Sequence, residues 1–332
     1  MKNTFIPESH IPKVKGARIL KNKENPRIKT GKLKPLIIIG PSDDFVIKLI
    51  EELKTERMII ILPIESICIK WNYQFSGKKI TFLIENNKYQ ANSIYFRGAV
   101  ISSDDPRFEN FSNFLEVLNT CTDKVWCRPK KMMTNESKPL QMVFSLNKTT
   151  NSNIKIPKTF IKKGNPEKIK KETINKNWIV KSISGVRSLV VDNKSYRHWD
   201  YSPVKNIPTL FQEKITGDDV RIHFLKDKAY GLCVRGKSSV DYRYASERGE
   251  LKKMSIESSL LDYCKNLSKI EKNSLIGIDF IETPEKKYYC LEANPGPGWA
   301  WYHKNEKEQL LNSKEDFFLK KFLKEIIENE SV

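Results

Sequence analysis

Two short runs of residues near the carboxyl end constrain the fold more than any other part of the chain. They span residues 276–281 and 287–291, and the sequence between them contains TPEK, with the proline and charged residues that favour a turn. A glycine–proline segment, PGPG, follows the second run after a few residues. This pattern predicts that the two runs pair as a β-hairpin.

Acidic and amide side chains give this hairpin its chemistry. Asp279 lies in the first run, Glu292 follows the second, and Asn294 comes two residues later. Because strand side chains alternate between faces, Glu292 and Asn294 can point the same way, and pairing carries Asp279 to their side. Two carboxylates and an amide oxygen suit Mg²⁺, which takes further ligands from water and nucleotide phosphates. One acidic residue alone would indicate a surface hairpin, whereas the three together predict a magnesium site.

The rest of the sequence alternates between strand-sized apolar runs and helical periodicity, which predicts an α/β fold. Residues 1–34 carry many Lys and Arg and little apolar periodicity, so we expect a mobile or loosely packed basic arm there. We divide the remainder into an amino-terminal α/β subdomain (35–129), a central subdomain (130–207) and a carboxy-terminal subdomain with the metal site (208–332).

The formal net charge of +19 over 332 residues calls for an acidic partner. Nucleic acid is one candidate, but the lysines are spread along the chain and form no compact basic and aromatic module. A nucleotide triphosphate with an acidic peptide or polyphosphate substrate accounts for the charge equally well, and most of these lysines are typical of solvated helix faces.

Other classes of protein are disfavoured by simple patterns. No apolar run is long enough to cross a bilayer, and the amino terminus lacks the apolar core of a signal peptide, so we expect a cytoplasmic protein without a membrane partner. The six cysteines are scattered without a CxxC pair, which favours reduced, buried thiols over zinc or redox chemistry.

A candidate phosphate-binding turn follows the predicted strand WIVK. Lys181 ends that strand and could reach phosphate oxygens, Gly185 would let backbone N–H groups approach them, and Ser184 would add a hydroxyl donor. An ordinary hairpin has the same pattern, and the chain contains no Walker-type GxxxxGK[ST] motif.

A second candidate segment is FQEKITGDD. On a strand, Glu213, Lys214 and Ile215 offer carboxylate, cation and backbone groups that could bind the edge of an adenine, and Asp219 could accept hydrogen bonds from ribose hydroxyls. Lys138, at the start of a predicted helix, could add a phosphate contact. Each of these residues taken alone is also compatible with a solvated surface charge.

Taken in order, these segments resemble the ATP-grasp superfamily of carboxylate ligases. The order is SKPLQM, IPKTF, WIVKSISG, QEKITGDD and then Asp279, Glu292 and Asn294, with a step of thirteen residues and then a step of two between the last three. The resemblance covers most of the chain from Pro35 onward. It implies an ATP-grasp architecture of three subdomains, with ATP and Mg²⁺ as cofactors and the nucleotide held between the central and carboxy-terminal subdomains.

The resemblance also implies roles for individual residues. Phosphates would be held by Lys138, Lys181 and the Ser184–Gly185 turn, adenine by Glu213, Lys214 and Ile215, ribose by Asp219, and Mg²⁺ by Asp279, Glu292 and Asn294. Because the guanidinium fork fits both carboxylate and phosphate, we expect Arg235 and Arg243, and then Arg221, to join Lys181 near the reacting acyl group. Surface basicity is the competing explanation for each arginine.

Within the superfamily, four short strings are similar to the graspetide (microviridin-type) macrocyclases: IYFRG, SKPLQM, SSVDYR and LEANPGPGW. This similarity implies that Glu or Asp side chains of a ribosomal precursor peptide, with a leader and an acidic core, become acyl phosphates and then join Thr or Ser hydroxyls or Lys amines. Family analogy also implies a homodimer. The aromatic segment 189–204, with Tyr196, His198, Trp199 and Tyr201, could bind the leader or could close the subdomain core.

Three alternatives remain open. GDDVR departs toward the ribosomal-protein glutamate ligases, which indicates a ligase that adds an amino acid to a peptide or protein end. An ATP-grasp polyphosphate kinase, such as one acting on inositol phosphates, would also need basic walls. A non-enzymatic nucleic-acid binder would leave Asp279, Glu292 and Asn294 unexplained.

Overall fold

The computed structural model describes residues 15–20, 35–53, 55, 57–91, 93–98, 104–121, 124–127, 129, 142, 146, 153–173, 177–183, 200–236, 249–271, 274–294, 296–299 and 318–328. The chain divides into two compact units, the first made of residues 1–129 and 315–332 and the second of residues 130–314. Among the described residues, none of the helices combines the length and the apolar character needed to cross a bilayer.

The chain combines helices with parallel and antiparallel strands, which confirms the predicted α/β class. The described helices are α1 (Phe45–Glu52), α2 (Phe108–Thr120), α3 (Pro166–Thr173), α4 (Ser258–Ile270) and α5 (Phe318–Glu328). The strands of the first unit are β1 (Arg18–Leu20), β2 (Leu36–Gly40), β3 (Ile59–Pro63), β4 (Trp71–Ser76), β5 (Lys79–Ile84), β6 (Asn87–Gln90), β7 (Ser93–Phe96) and β8 (Lys124–Trp126). Those of the second unit are β9 (Ile154–Lys155), β10 (Thr159–Lys162), β11 (Trp178–Ser182), β12 (Thr209–Glu213), β13 (Asp218–Leu225), β14 (Lys228–Arg235), β15 (Glu250–Met254), β16 (Leu275–Glu282) and β17 (Tyr288–Asn294).

The main sheet of the first unit has the strand order β1-β3-β2-β7-β8. The last four of these strands run parallel, and β1 is antiparallel to β3. Every residue of β2 and β3 is buried, as expected of parallel strands that are covered on both faces. Helix α1 is capped by Asp44, the residue before its start, whose Oδ1 accepts hydrogen bonds from the backbone N–H groups of Val46 and Ile47.

Strand β1 corrects one expectation about the basic arm. Its three residues, Arg18–Leu20, pair with residues 59–61 of β3, and Arg18 forms an ion pair with Glu51 at 3.1 Å. These residues are therefore part of a sheet and not of a mobile arm. Residues 1–14 and 21–34 lie outside the described part of the chain.

A second sheet, β4-β5-β6, packs against α2 through aromatic side chains. Trp71, Tyr73 and Phe82 surround Phe114 with ring centroids 4.8–6.5 Å from it. Strand β4 begins at Trp71. The residues before it form a turn in which Cys68 adopts a left-handed conformation with φ 62°, and a strand cannot pass through such a residue.

A buried arginine ties the carboxy-terminal helix to the main sheet of the first unit. Arg57 is 3% exposed; its Nη1 donates to the carbonyl of Ile327 in α5 at 2.8 Å, and its Nη2 donates to Ser93 Oγ in β7 at 2.9 Å. A cation at the last carbonyls of a helix satisfies them and complements the helix dipole. Helix α5 is thereby anchored in the first unit.

The second unit contains a three-stranded sheet, β10-β12-β11, and a six-stranded sheet, β15-β14-β13-β16-β17-β9. All neighbours are antiparallel except β9, which runs parallel to β17. Strands β16 and β17 are the predicted hairpin, and their pairing is confirmed. One face of the larger sheet, which we call the helix face, packs on α4 through Val220, Ile222, Phe224, Ile278 and Phe280.

The three-stranded sheet has its own small core, built from Phe160, Val180 and Phe211 with side chains of α3 and the segment before β12. Tyr201, one of the aromatic residues that could have bound a leader peptide, is buried in this core at 4% exposure. Its hydroxyl lies 3.2 Å from Thr173 Oγ1 of α3. This placement favours the core-closing alternative for Tyr201, while Tyr196, His198 and Trp199 lie outside the described residues.

Candidate functional site

Two rows of side chains cross the six-stranded sheet on the face opposite α4, which we call the carboxylate face. In the first row, Arg221 of β13 pairs with Asp279 of β16, which pairs with Glu292 of β17. In the second row, His223 of β13 pairs with Gly277, which pairs with Asn294. Adjacent strands in register thus bring one cation, two carboxylates, an imidazole and an amide onto one surface.

Hydrogen bonds join the members of these rows. Asn294 Nδ2 donates to Asp279 Oδ2 at 3.2 Å and to Glu292 Oε1 at 3.3 Å. Arg221 Nη1 forms an ion pair with the same Asp279 oxygen at 2.6 Å. The structure therefore brings together the three residues that the sequence singled out for a metal, and it adds Arg221 to them.

A β-bulge in β17 determines which face of the sheet Glu292 and Asn294 occupy. Asp279 pairs with Glu292, but the next residue, Phe280, pairs with Cys290, so Leu291 is an extra residue on β17. Cys290 belongs to the core on the helix face, and strict alternation from it would turn Glu292 toward α4. The extra residue reverses the phase, so that Glu292 and Asn294 both face the carboxylate side.

Gly277 makes room for the Arg221 guanidinium. A Cβ atom at this glycine would lie 2.5 Å from Arg221 Nη2 and 2.6 Å from Pro297 Cβ. Arg221 and Pro297 therefore both lie over the position where any other residue would carry a side chain. Arg221 is 6% exposed, so its ion pair with Asp279 is largely screened from water, which strengthens a charge-assisted hydrogen bond.

His223 contacts the segment that follows the metal candidates. Its ring stacks on Trp299 with centroids 4.3 Å apart and an angle of 18°, and its Nε2 lies 3.4 Å from the carbonyl oxygen of Gly298, to which it donates. Complete burial, reinforced by the positive charge of Arg221, holds the pKa of the His223 imidazole well below its usual value. His223 is therefore neutral at physiological pH.

In the three-stranded sheet, Lys181 is held by a polar network that the sequence did not reveal. Its Nζ donates to Gln212 Oε1 at 2.8 Å, and Gln212 Nε2 donates to Thr159 Oγ1 at 3.3 Å. Gln212 is 2% exposed. Strand alternation puts these residues on the face opposite the Phe160–Phe211 core. A buried amide thus orients a partly buried ammonium group.

The segment expected to bind adenine lies where β12 ends. The strand ends at Glu213, two residues earlier than predicted. The backbone N–H of Glu213 donates to the carbonyl of Lys158, and that of Lys214 donates to the carbonyl of Asn177, both at 2.8 Å. Ile215 follows without a regular strand, and Asp219 lies on the same face of β13 as Arg221 and His223.

The donor set on the carboxylate face fits a hard divalent cation. Asp279 and Glu292 both accept a hydrogen bond from the Asn294 amide nitrogen, and Asp279 also forms an ion pair with Arg221. Mg²⁺ prefers carboxylate and amide oxygens. These three residues would therefore hold such an ion.

Comparisons with known proteins address the fold. No family model matches the sequence, and no curated protein matches it. Among solved structures, the ATP-grasp ligase PsnB complexed with minimal precursor, Mg and ADP has a TM-score of 0.63 and 16% identity, over 89% of this chain and 97% of that one. The Chryseobacterium gregarium RiPP-associated ATP-grasp ligase, in complex with ADP and a leader and core peptide, has a TM-score of 0.63 and 15% identity, over 90% and 100% of the two chains. The macrocyclase MdnC from Microcystis aeruginosa, bound with precursor peptide MdnA, has a TM-score of 0.59 and 17% identity, over 84% and 100%.

The chain has the ATP-grasp fold. This finding confirms the architecture predicted from the order of the sequence motifs.

One predicted residue of this ATP-grasp chain lies apart from the carboxylate face. Arg235 shares the helix face with Asp218, and its Nε lies 3.6 Å from Asp218 Oδ2 with half of the side chain exposed. The structure does not bring Arg235 to Asp279. The two-residue turn between β13 and β14 explains this, because it pairs Leu225 with Lys228 and thereby puts positions 221 and 235 on opposite faces.

A second group of potential metal ligands lies near Arg235. Asp218, Cys233 and Glu282 offer ligand atoms that lie within 4.8 Å of one another. Glu282 already accepts a hydrogen bond from the Tyr288 hydroxyl at 2.9 Å and pairs with Lys286 at 3.2 Å. The protein itself neutralises this group, so we assign no ligand to it.

Four predicted residues lie outside the described part of the ATP-grasp chain. They are Lys138, Ser184, Gly185 and Arg243. Conversely, His223, Trp299 and Gln212 were not predicted to belong to the site. For His223 a signal existed, since it stands two residues after Arg221 on a strand and so shares its face.

Proposed function

We propose that the protein is an ATP-dependent carboxylate ligase that cross-links a ribosomal precursor peptide. It activates Glu or Asp side-chain carboxylates as acyl phosphates and joins them to Thr or Ser hydroxyls or to Lys amines, which forms macrolactone or macrolactam rings. The observation that carries this proposal is the group of Asp279, Glu292, Asn294 and Arg221 on one sheet face of an ATP-grasp fold. The similar structures named above hold ADP or precursor peptides, which supports the same class of ligands here.

The chain's own residues divide the binding of nucleotide and metal. Asp279, Glu292 and Asn294 would hold Mg²⁺, which when bound neutralises phosphate oxygens. The Lys181 ammonium, oriented by Gln212, would meet phosphate oxygens from the three-stranded sheet. The remaining contacts follow the family pattern: Lys138, Ser184 and Gly185 for phosphates, Glu213, Lys214 and Ile215 for adenine, and Asp219 for ribose.

The reaction needs positioning and charge neutralisation more than covalent help from the protein. A substrate carboxylate oxygen attacks the γ-phosphorus of ATP, the bond to the bridging oxygen breaks, and ADP leaves. The hydroxyl or amine then attacks the acyl carbon, loses its proton, and phosphate leaves. Arg221 is the described arginine that lies at the carboxylates, and it supplies fixed positive charge where negative charge collects. We retain Arg243 as a second candidate for the acyl group, and Arg235 only as a more distant one.

The charge of the chain supports an acidic peptide as the partner. At a net charge of +19, an acidic core is steered toward the protein, and the energy needed to bring its carboxylates near ATP phosphates is lowered. Both ATP and newly made ribosomal peptides are found in the cytoplasm, where we place the reaction.

Mass spectrometry tests the proposal directly. The protein is incubated with ATP, Mg²⁺ and short acidic peptides that contain Glu or Asp together with Thr, Ser or Lys, and ADP is measured in parallel. Loss of one water per ADP formed supports cross-linking. Gain of an amino-acid mass on a peptide in the presence of free glutamate would instead support the glutamate-ligase alternative, and phosphate gain on an inositol phosphate would support the kinase. Absence of ADP with every one of these substrates would overturn the ligase assignment.

A further inference from the structure

The segment that follows the metal candidates folds back across the carboxylate face. We call residues 296–299 the return segment. Pro297 lies over Gly277, the carbonyl of Gly298 accepts a hydrogen bond from His223, and Trp299 stacks on the His223 ring. Trp299 is 1% exposed and His223 is fully buried. The return segment therefore packs into the sheet as part of its surface.

The return segment follows one row of the sheet. The chain leaves that row at Asn294 on β17, crosses Gly277 on β16, and reaches His223 on β13. The neighbouring row holds Glu292, Asp279 and Arg221 in the same strand order. The return segment is thus a strap over Gly277 that begins two residues after the metal candidate Asn294 and ends on His223.

The strap and Arg221 share the space above Gly277. Arg221 Nη2 and Pro297 Cβ both lie within 2.6 Å of the position that a Cβ atom of residue 277 would occupy. If Pro297 lifted away, the Arg221 guanidinium would gain room to leave Asp279. The contacts between His223 and the strap are therefore linked, through Pro297 and Arg221, to the ion pair at Asp279.

From this geometry we propose that His223 is a positioning residue for the metal group. By holding Gly298 and Trp299, it keeps the strap over Gly277, the Arg221 guanidinium on Asp279, and Asn294 beside both carboxylates. Groups that orient metal ligands from outside change metal affinity or activity by 10- to 100-fold in other proteins. This role rests on the proposed function, since it assumes that Asp279, Glu292 and Asn294 hold a divalent ion.

Three variants distinguish a positioning role of His223 from a general effect on the stability of the protein. His223→Phe keeps a ring that can stack on Trp299 but removes the Nε2 donor, and His223→Leu removes both. Phe224→Leu is the matched control, because Phe224 is the next residue on β13, is equally buried, and faces α4. It should lower stability without touching the strap.

The readout is Mn²⁺ affinity in the presence of ADP, followed by electron paramagnetic resonance on folded protein, together with the Mg²⁺ concentration for half-maximal ADP formation. We expect the Mn²⁺ dissociation constant to rise about tenfold or more in His223→Leu and by less in His223→Phe. Phe224→Leu should stay within about twofold of the wild type. Equal affinities in His223→Leu and Phe224→Leu would overturn the positioning role and leave the proposed function standing. If the wild-type protein binds no Mn²⁺ with ADP, the proposed function fails and the positioning role fails with it.

Discussion

Arg221 Nη1 lies 2.6 Å from Asp279 Oδ2, and the two residues are direct partners on adjacent antiparallel strands. The register of the two strands places the two residues directly opposite each other, so their side chains can form the ion pair without reaching to a more distant position. Arg221 is almost wholly buried, whereas about a quarter of the Asp279 side chain is exposed. One side of the carboxylate thus meets a fixed cation while the other edge remains accessible from solvent.

Glu292→Gln should abolish product formation and leave the fold intact. The substitution removes one of the two carboxylates while keeping a side chain of the same size that can still meet Asn294. Circular dichroism should be unchanged, and ADP formation should fall below detection. Glu285→Gln is the control, since Glu285 lies exposed in the turn of the same hairpin. Normal turnover in Glu292→Gln would end the metal assignment.

The hairpin that carries Glu292 could be predicted from the alternation of residues and from the turn. The bulge that determines which face Glu292 occupies could not. The hairpin, its acidic residues and their common side follow from local sequence. The bulge at Leu291 does not, because one extra residue has no strong local signature and is stabilised only by the pairing of the whole sheet. Alternation correctly predicts that Glu292 and Asn294 share a face, but only the bulge puts that face on the same side of the sheet as Asp279.

The position of Arg235 could not be predicted from the sequence, for a different reason. Residue type suggested that it joins the acyl site, but the face of a strand residue depends on register, and register depends on the turn. Lys226, in the two-residue turn between β13 and β14, has a left-handed conformation with φ 55°, as tight hairpins require. A two-residue turn at this point is enough to place Arg235 on the face opposite Arg221, but the residues Lys226 and Asp227 are only a weak signal for it.

Gly277→Ala should weaken both the fold and the activity. The new methyl group would approach Arg221 and Pro297, which are held by an ion pair and by the strap, so overpacking should cost about 1–3 kcal/mol. Gly231→Ala is the control on β14, a strand of the same sheet that β13 separates from β16. Its methyl group would lie 2.6 Å from Met254 Cγ and 3.1 Å from Ile256 Cγ1. Because the Met254 side chain is flexible and Ile256 has to shift only slightly, its stability should stay within about 1 kcal/mol of the wild type. Urea unfolding and ADP formation are measured for both variants, and equal losses would contradict the packing argument.

Lys181→Ala should reduce turnover at least tenfold. A lost hydrogen bond to a charged group is worth about 1.5–3 kcal/mol, and the phosphate contact that we propose for Lys181 would be of that kind. Gln212→Leu should cause a smaller loss, because the ammonium remains but loses the acceptor that orients it. Lys162→Ala serves as the control, since Lys162 lies on the opposite face of the same sheet and pairs with Glu172. Steady-state ADP formation at saturating Mg²⁺ distinguishes the three, and wild-type rates in Lys181→Ala would refute its role.

His223 should make the stability of the protein fall in mild acid. Its folded-state pKa lies well below the unfolded value of 6.5, because burial and then the charge of Arg221 disfavour the imidazolium. The hydrogen bond to the Gly298 carbonyl acts in the opposite direction and raises the pKa, but it is the smallest of the three causes. The residues paired or stacked with His223 are Tyr230 on β14, Gly277 on β16 and Trp299.

Below pH 6.5 the unfolded chain therefore binds a proton that the folded chain does not, and the stabilisation present above that pH is lost as the pH falls. Each pH unit should cost about 1.4 kcal/mol until the folded pKa is reached. Urea unfolding of the wild type and of His223→Phe at about pH 7.5 and about pH 5.5, on either side of the unfolded pKa, measures this directly. The variant should be less stable at the higher pH but should lose less stability on acidification, and equal acid sensitivity of the two proteins would show that His223 is protonated as easily in the folded state as in the unfolded one.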